Sequence, residues 1–364
     1  MTTRPSQPIQ PVQPVQPVQP AQPDQAAPLA LSAGVFDQAN RADPYPIFRA
    51  IREAGASHWL AASARMIALT RHADCQRVLS DPAFGHLPPS ESSYREGPDE
   101  GLRSMMRANP PTHTRLRRLV SRAFTPGRVA RFEPLARDLT AELLDDAVGR
   151  DEVDLVGGLT RPVPLRVICT LLGVPAADEK VFSDWASALA RAADPIQTVT
   201  LEERAARTAG NRGFTAYFTD LITTRRAEPR DDLLSDLIAV QEQGDSLSDQ
   251  ELVELGELLL VAGYETTVNL VAHAVLALAR DPEQYAALRA RPDLVTSAVE
   301  EALRYDPPIQ LVLRSALTEV EIAGQSLRRG DGVVLLIPAA TRDPDVFADP
   351  DRFDVTRYAG PTQP

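Results

Sequence analysis

The chain has 364 residues, of which 43% are hydrophobic and 24% charged, with a net charge of −12 and an isoelectric point near 5.0. That length suffices for one large domain or two ordinary ones, and the acidic balance argues against a general nucleic-acid binder. Two cysteines, Cys75 and Cys169, cannot build a disulfide framework. No run of eighteen uninterrupted apolar residues offers a membrane span. The start, Met1-Thr-Thr-Arg, lacks an apolar signal core, so a cytoplasmic protein is the simplest expectation.

Residues 5–28 repeat Gln-Pro with period three, the period of polyproline II. With no aromatic residue and almost no charge, residues 1–34 are expected to form a disordered, solvated tail. A ligand for a proline-recognising module is the alternative. A single folded unit is expected over 35–364. Asp43-Pro-Tyr-Pro enters its first helix with proline near the first turn. Met66 to Thr70 reads as a short strand, and the polar, Gly/Ser-rich stretch between Phe84 and Ala108 as a loop. The periodicity predicts helices over 71–80, 112–124, 128–148, 160–172, 178–192, 203–227, 231–243 and 248–280. Two more follow at 282–290 and 293–305, the last stopped by Asp306-Pro-Pro. Residues 311–337 switch to period-two patterning with turns at Gly324 and Gly330-Asp-Gly332, giving a small β region on a mainly α chain.

The helix over 248–280 contains a local conflict at Leu258 to Thr267, Leu-Leu-Leu-Val-Ala-Gly-Tyr-Glu-Thr-Thr. Gly263 costs about 1 kcal/mol relative to Ala in a helix interior. Thr266 and Thr267 can bond back to carbonyls four residues earlier, which tends to bend a helix. Ala262, Gly263 and Thr266 share a face with little bulk and one hydroxyl, where a flat or small ligand can approach the backbone. Glu265 beside that hydroxyl can take part in a proton relay. The alternative is helix packing through small residues, with Thr266 satisfying its own backbone.

Other constellations are simpler. His113 and Arg117 are four apart on a helix opened by Pro110-Pro111, a pair suited to a carboxylate-bearing ligand. A basic surface helix is the alternative, because Arg115, Arg118 and Arg122 lie there too. Glu301 and Arg304 are three apart and can pair. Cys75 and Cys169 read as small buried hydrophobes. His58, His72, His86 and His273 show no metal-ligand spacing, and no Ser/His/Asp grouping or phosphate loop stands out.

Five segments in order resemble the cytochrome P450 family, of the soluble bacterial type. They are Ala262-Gly-Tyr-Glu-Thr266, His113-Thr-Arg-Leu-Arg117, Glu301-Ala-Leu-Arg304, the strand around Arg314, and Pro350-Asp-Arg352-Phe-Asp-Val-Thr-Arg357. The similarity covers roughly Asp37 to Arg357. It implies the mainly α cytochrome P450 fold, haem b, and insertion of one oxygen atom from O2 into a small organic substrate. Electrons would come from NAD(P)H through ferredoxin reductase and a ferredoxin, which Arg115, Arg118 and Arg122 would steer. Thr266 and Glu265 would be catalytic. Ala262 and Gly263 would leave room for oxygen, and His113, Arg117 and Arg314 would hold the haem propionates. Glu301, Arg304 and Arg352 would form a buried bracing network, and the 84–108 loop would roof the substrate pocket. Thr341 replaces the family's usual Asn, with only a local effect expected.

The sequence departs from the family in one respect. The haem-thiolate loop, Phe-x-x-Gly-x-x-x-Cys-x-Gly, should follow Arg357, and the sequence reaches Pro364 without it. The expectation is a fold lacking its C-terminal part, with no metal ligand, which as written does not carry out thiolate-dependent monooxygenation. The alternatives are a haem-free helper protein that activates a partner glycosyltransferase, or an inactive fragment.

Overall fold

A computed structural model describes residues 38–40, 42–61, 65–93, 105–190, 199–242 and 245–360. The expected tail over 1–34, the centre of the 84–108 loop and the last four residues lie outside the described residues. In chain order the elements begin with α1 (Tyr45–Ala54), β1 (Ser57–Ala61), β2 (Met66–Leu69), α2 (His72–Ser80) and β3 (Phe84–Gly85). A helical run follows: α3 (Thr112–Ala123), α4 (Pro126–Ala130), α5 (Phe132–Ala147), α6 (Pro162–Leu172), α7 (Glu179–Ala190), α8 (Leu201–Ala227) and α9 (Leu233–Ala239). The small hairpin of β4 (Gln241–Glu242) and β5 (Asp245–Ser246) leads into the long α10 (Asp249–Arg280), then α11 (Pro282–Ala290) and α12 (Val295–Tyr305). The last elements are β6 (Leu311–Ala316), β7 (Val320–Ile322), β8 (Gln325–Leu327), β9 (Gly332–Leu336) and α13 (Ile337–Ala340).

The main sheet has the order β1-β2-β9-β6-β3, with β2 and β9 parallel and the other pairs antiparallel. Strand β9, Gly-Val-Val-Leu-Leu, is buried throughout, as a continuous apolar run requires when both sheet faces are covered. Alternation sends Val333 and Leu335 to one face with Ile67 and Leu69. Val334 and Leu336 go to the other, where Phe48 and Ile51 of α1 pack on them. The expected turn at Gly324 is present, with Ala323 and Gly324 both at positive φ (48° and 75°) between β7 and β8.

Helices α8 and α10 each open on a capping box, Thr200 with Glu203 and Ser248 with Glu251. Helix α10 then runs 32 residues without interruption, so the glycine and threonines do not break it. It is long and apolar enough to cross a membrane by length and composition. Its packing against α6, α7 and α8 makes it the core helix instead, with Leu252, Val253, Leu260 and Tyr264 buried. Gly256 is where α8 crosses closest, because a Cβ there would meet the Phe218 ring at 2.4 Å. Two expected helices come out shorter. The 128–148 helix is interrupted at Arg131, since Pro134 has no N–H and its ring crowds the carbonyl of Ala130. The 231–243 helix ends at Ala239, where the chain turns into the β4–β5 hairpin.

A buried ion network fixes the C-terminal segment. Arg304 donates Nε and Nη2 to the two Glu301 oxygens at 2.7 and 2.9 Å. Its Nη1 reaches the carbonyls of Thr341 and Pro350 at 3.0 and 2.8 Å, and its Nη2 that of Arg352 at 3.0 Å. Glu301 also accepts from the Asp354 amide at 2.8 Å and from Arg357 Nε at 3.0 Å. The expected third arginine is therefore corrected: Arg352 offers only its carbonyl, and Arg357 is the bracing cation. The reason is local geometry: Phe353 and Val355 are buried against α10 and α12, Arg352 is exposed, and a turn closed by the Arg357 amide on the Asp354 carbonyl at 3.0 Å brings Arg357 back to Glu301.

A second buried acid, Glu257, lies between α10 and α8 and accepts from Asn211 Nδ2 at 3.1 Å. Burial raises its carboxyl above the usual carboxylate range. The folded state then holds a proton that the unfolded chain releases, so stability falls as pH rises above the ordinary Glu range.

Two outcomes are expected. Glu301→Ala or Arg304→Ala should cost about 3–5 kcal/mol in urea denaturation, because each breaks a buried ion pair and strands its polar partners; Arg357→Ala should also destabilise, while Arg352→Ala leaves the midpoint unchanged. Equal losses at Arg352 and Arg357 would refute the assignment. Glu257→Gln should raise the unfolding temperature at pH 8 and lose that advantage toward pH 4; a pH-independent difference would contradict a carboxyl raised by burial.

Candidate active site

The open face of α10 is built from the residues that conflict with helix propensity. Ala262 is exposed, and Gly263, Glu265 and Thr266 are half-buried. Thr266 Oγ1 donates to the Ala262 carbonyl, and Thr267 Oγ1 to that of Gly263 at 2.9 Å. With its hydrogen committed to the backbone, the Thr266 hydroxyl presents lone pairs outward as an acceptor. Glu265 has no hydrogen bond or ion pair among the described residues, so its carboxyl is available to exchange protons. The two readings of the small residues divide between positions. Gly263 faces α6, where an added Cβ would lie 3.5 Å from Ile168, an ordinary contact rather than a clash. Packing therefore explains Gly256 and does not explain Gly263.

Helix α3 has two flanks. Its core face carries Leu119, Val120 and Ala123. Spacing puts His113 and Arg117 together on one side of that face and Arg115, Arg118 and Arg122 on the other. Arg115 is committed. It donates to both Asp245 oxygens at 2.7 and 2.9 Å and to Glu251 at 2.6 Å, tying α3 to the β4–β5 hairpin and the first turn of α10. These bonds hold the Asp245 carboxyl below its ordinary range. Arg115 is thus a tether, and the expectation that it steers a partner is corrected; Arg118 and Arg122 remain exposed. On the other flank, neither the His113 imidazole nor the Arg117 guanidinium has a hydrogen-bond or ion-pair partner among the described residues. Arg314 stands half-buried on β6, sharing a sheet face with Val312 and Ala316, and donates Nη1 to the Leu313 carbonyl at 2.9 Å.

The cysteines sit in separate cores, Cys75 beneath the sheet and Cys169 among the helices. Burial pushes each thiol up to about 12, so neither is a thiolate near neutrality, and the 364 residues contain no other cysteine. Sequence reasoning missed Arg357 and the roles of Arg115 and Glu257. Each depends on a partner brought up by the fold, and no local sequence signal marks it.

The family profile for cytochrome P450 matches residues 56–363, and the chain belongs to that family. Among curated relatives, the vitamin D(3) 25-hydroxylase of Pseudonocardia autotrophica is 38% identical over 336 residues, 90% of this chain and 80% of that protein. The biotin biosynthesis cytochrome P450 of Bacillus subtilis is 37% identical over 300 residues, 80% and 74% of the two chains. Ligand-free CYP164A2 of Mycobacterium smegmatis superposes with a TM-score of 0.83 at 40% identity, covering 91% of this chain and 84% of that one. The mainly α architecture with a small β region is the family's fold, as the sequence implied.

Because α6 does not close on Gly263, Gly263→Ala should raise the unfolding free energy, by up to about 1 kcal/mol. A loss measured by denaturant titration would show that helix packing requires the glycine after all.

Proposed function

We propose that this chain is the oxygen-activating framework of a haem monooxygenase acting in the cytoplasm on a small organic substrate, of the secondary-metabolite or xenobiotic kind. One observation carries the reading: His113 and Arg117 are unpartnered donors on one flank of α3, while Arg115, two residues away, is saturated by carboxylates. A propionate-bearing ligand fits such donors, because a guanidinium offers a carboxylate a fork of N–H groups and an imidazole adds one more. Arg314 supplies a second guanidinium. Haem b, when bound, supplies the activation of oxygen and accepts the electrons that drive it.

The protein's own residues do the rest. Ala262 and Gly263 keep the surface of α10 low, so that a flat group can lie against its backbone. Glu265, free of partners, takes a proton from solvent. Thr266 receives a hydrogen bond on its outward lone pairs and, on turning its own hydrogen away from the Ala262 carbonyl, passes a proton across the open face. Exposed Arg118 and Arg122 give an acidic ferredoxin a cationic landing area on an otherwise acidic chain, with its reductase and NAD(P)H upstream. The relatives' names, a vitamin D(3) hydroxylase and a biotin-pathway enzyme, support a compact organic substrate.

The two cysteines do not fit an iron-thiolate role. Both cysteines are protonated core residues, so residues 1–364 hold no thiolate for iron. The second reading is a haem-free helper that activates a glycosyltransferase. The unpartnered His113 and Arg117 count against it, because a haem-free helper has no use for them.

Titrating haem into the full chain and following its Soret band tests the choice. The parent chain should bind, and His113→Ala or Arg117→Ala should each weaken binding about tenfold or more, since a charge-assisted hydrogen bond contributes about 1.5–3 kcal/mol. The reduced, carbon monoxide-treated complex should lack a thiolate-type Soret shift. Equal affinity in all three proteins would remove the basis for the monooxygenase reading and leave the helper.

A further inference from the structure

The donors proposed for the carboxylates come from two separate parts of the fold. His113 and Arg117 stand on α3, and Arg314 stands on β6. A side chain just before α3 joins these parts. The amide of Asn109 pairs with the backbone of His86 as a neighbouring strand would. Its Oδ1 accepts from the His86 N–H at 3.0 Å, and its Nδ2 donates to the His86 carbonyl at 2.6 Å.

Both ends of this link are fixed. On the sheet side, β3 and β6 run antiparallel with Phe84 opposite Ala316 and Gly85 opposite Ser315. The same register, carried one residue further, sets His86 opposite Arg314. On the helix side, the Asn109 carbonyl accepts the His113 amide at 2.9 Å, so Asn109 belongs to the entry of α3. One residue thus bonds through its side chain to the residue opposite Arg314, and through its backbone to His113. A pair serving only to close the 84–108 stretch would need no relation to either cation.

Gly85 makes room for the link. A Cβ there would lie 2.6 Å from Asn109 Oδ1 and 2.8 Å from Leu317 Cδ1, too close for a side chain. Glycine weakens a strand and often marks a close approach by another group; here that group is the Asn109 amide. A carboxamide suits the position because it offers an acceptor and a donor side by side, as a peptide group does. An aspartate of the same shape would keep the first bond and set its second oxygen against the His86 carbonyl.

We propose that Asn109 is a positioning residue for the carboxylate-binding frame. Its two bonds hold β6, with Arg314, and the start of α3, with His113 and Arg117, at a fixed separation, so that a ligand carrying two carboxylates meets donors already in place. Donors ordered in advance cost less to immobilise on binding. The proposal rests on the haem-binding reading of these three residues.

Haem and its dimethyl ester, whose two carboxyl groups carry no charge, are titrated separately into the full chain and followed by the Soret band. The parent should favour haem. Asn109→Ala should weaken haem about fivefold or more and leave the ester unchanged. Gly85→Ala, which displaces the amide without removing it, should do the same, and it carries the comparison if Asn109→Ala does not fold. In an Arg314→Ala background the Asn109→Ala loss should shrink, because the two residues act through one frame. Full haem affinity in Asn109→Ala, equal weakening of haem and ester, or a loss undiminished in the Arg314→Ala background overturns the proposal. Those results differ from failure of the haem-binding reading itself, in which His113→Ala and Arg117→Ala also bind haem as the parent does.

Discussion

The Glu301 carboxylate has no exposure to water, and much of the fold is arranged to make that tolerable. Removing such a group from solvent costs several kcal/mol unless its oxygens are fully engaged. Here Arg304, Arg357 and the Asp354 amide engage them. Because Arg304 also gathers the carbonyls of Thr341, Pro350 and Arg352, the stretch from 341 to 357 cannot shift without exposing several polar groups together. The same stretch delivers Phe353 and Val355 to the apolar cluster between α10 and α12. Arg342 lies 3.3 Å from the Tyr45 ring centre and 4.1 Å from that of Tyr305, joining α1 to the same block. The ion pair thus fixes where the C-terminal segment stands relative to the central helix, and with it the open face of that helix.

Helix α10 serves two masters, and its glycines show how. Both Gly256 and Gly263 lower helix propensity by the same intrinsic amount. At Gly256 the neighbouring ring comes within 2.4 Å of where a Cβ would stand, so packing forbids a side chain. At Gly263 the nearest atom is 3.5 Å away, and packing is indifferent. A residue that weakens its own helix without a packing reason is the pattern expected where a surface must remain low for a ligand.

What was legible in the sequence followed from local rules. Helices α10 and α11, opened by the capping residues Ser248 and Asp281, and α12, with its apolar face, fell within a few residues of their predicted bounds, and β9 lies within the predicted β region. What was not legible depended on partners distant in sequence. Arg115, Arg117 and Arg118 look alike in one basic helix, and only the arrival of Asp245 and Glu251 separates the tether from the unpartnered donor. The β4–β5 hairpin has two-residue strands, too short for any alternation to register. Arg352 and Arg357 flank a turn closed by the Arg357 amide on the Asp354 carbonyl at 3.0 Å, and it is that turn, absent from any simple pattern, that brings Arg357 back to Glu301. The break at Arg131 was legible from Pro134, and its cause is purely steric.

Arginine pairing supplies the last step. The chain holds 50 acidic residues against 38 basic ones, so a guanidinium rarely stays alone for want of carboxylates. Most arginines in the packed regions are indeed held: Arg225 by Asp232, Arg71 by Asp343, Arg304 by Glu301. A cation left unpartnered in such a surplus is a matter of position, because the chain has placed its acids elsewhere. One such position pairs two donors, His113 with Arg117 on one flank of α3. An isolated exposed arginine means little, since a surface ion pair is worth at most about 1 kcal/mol and is easily forgone. A pair of unpartnered donors on one flank is different, because a guanidinium fork and an imidazole together offer a carboxylate more N–H groups than either does alone.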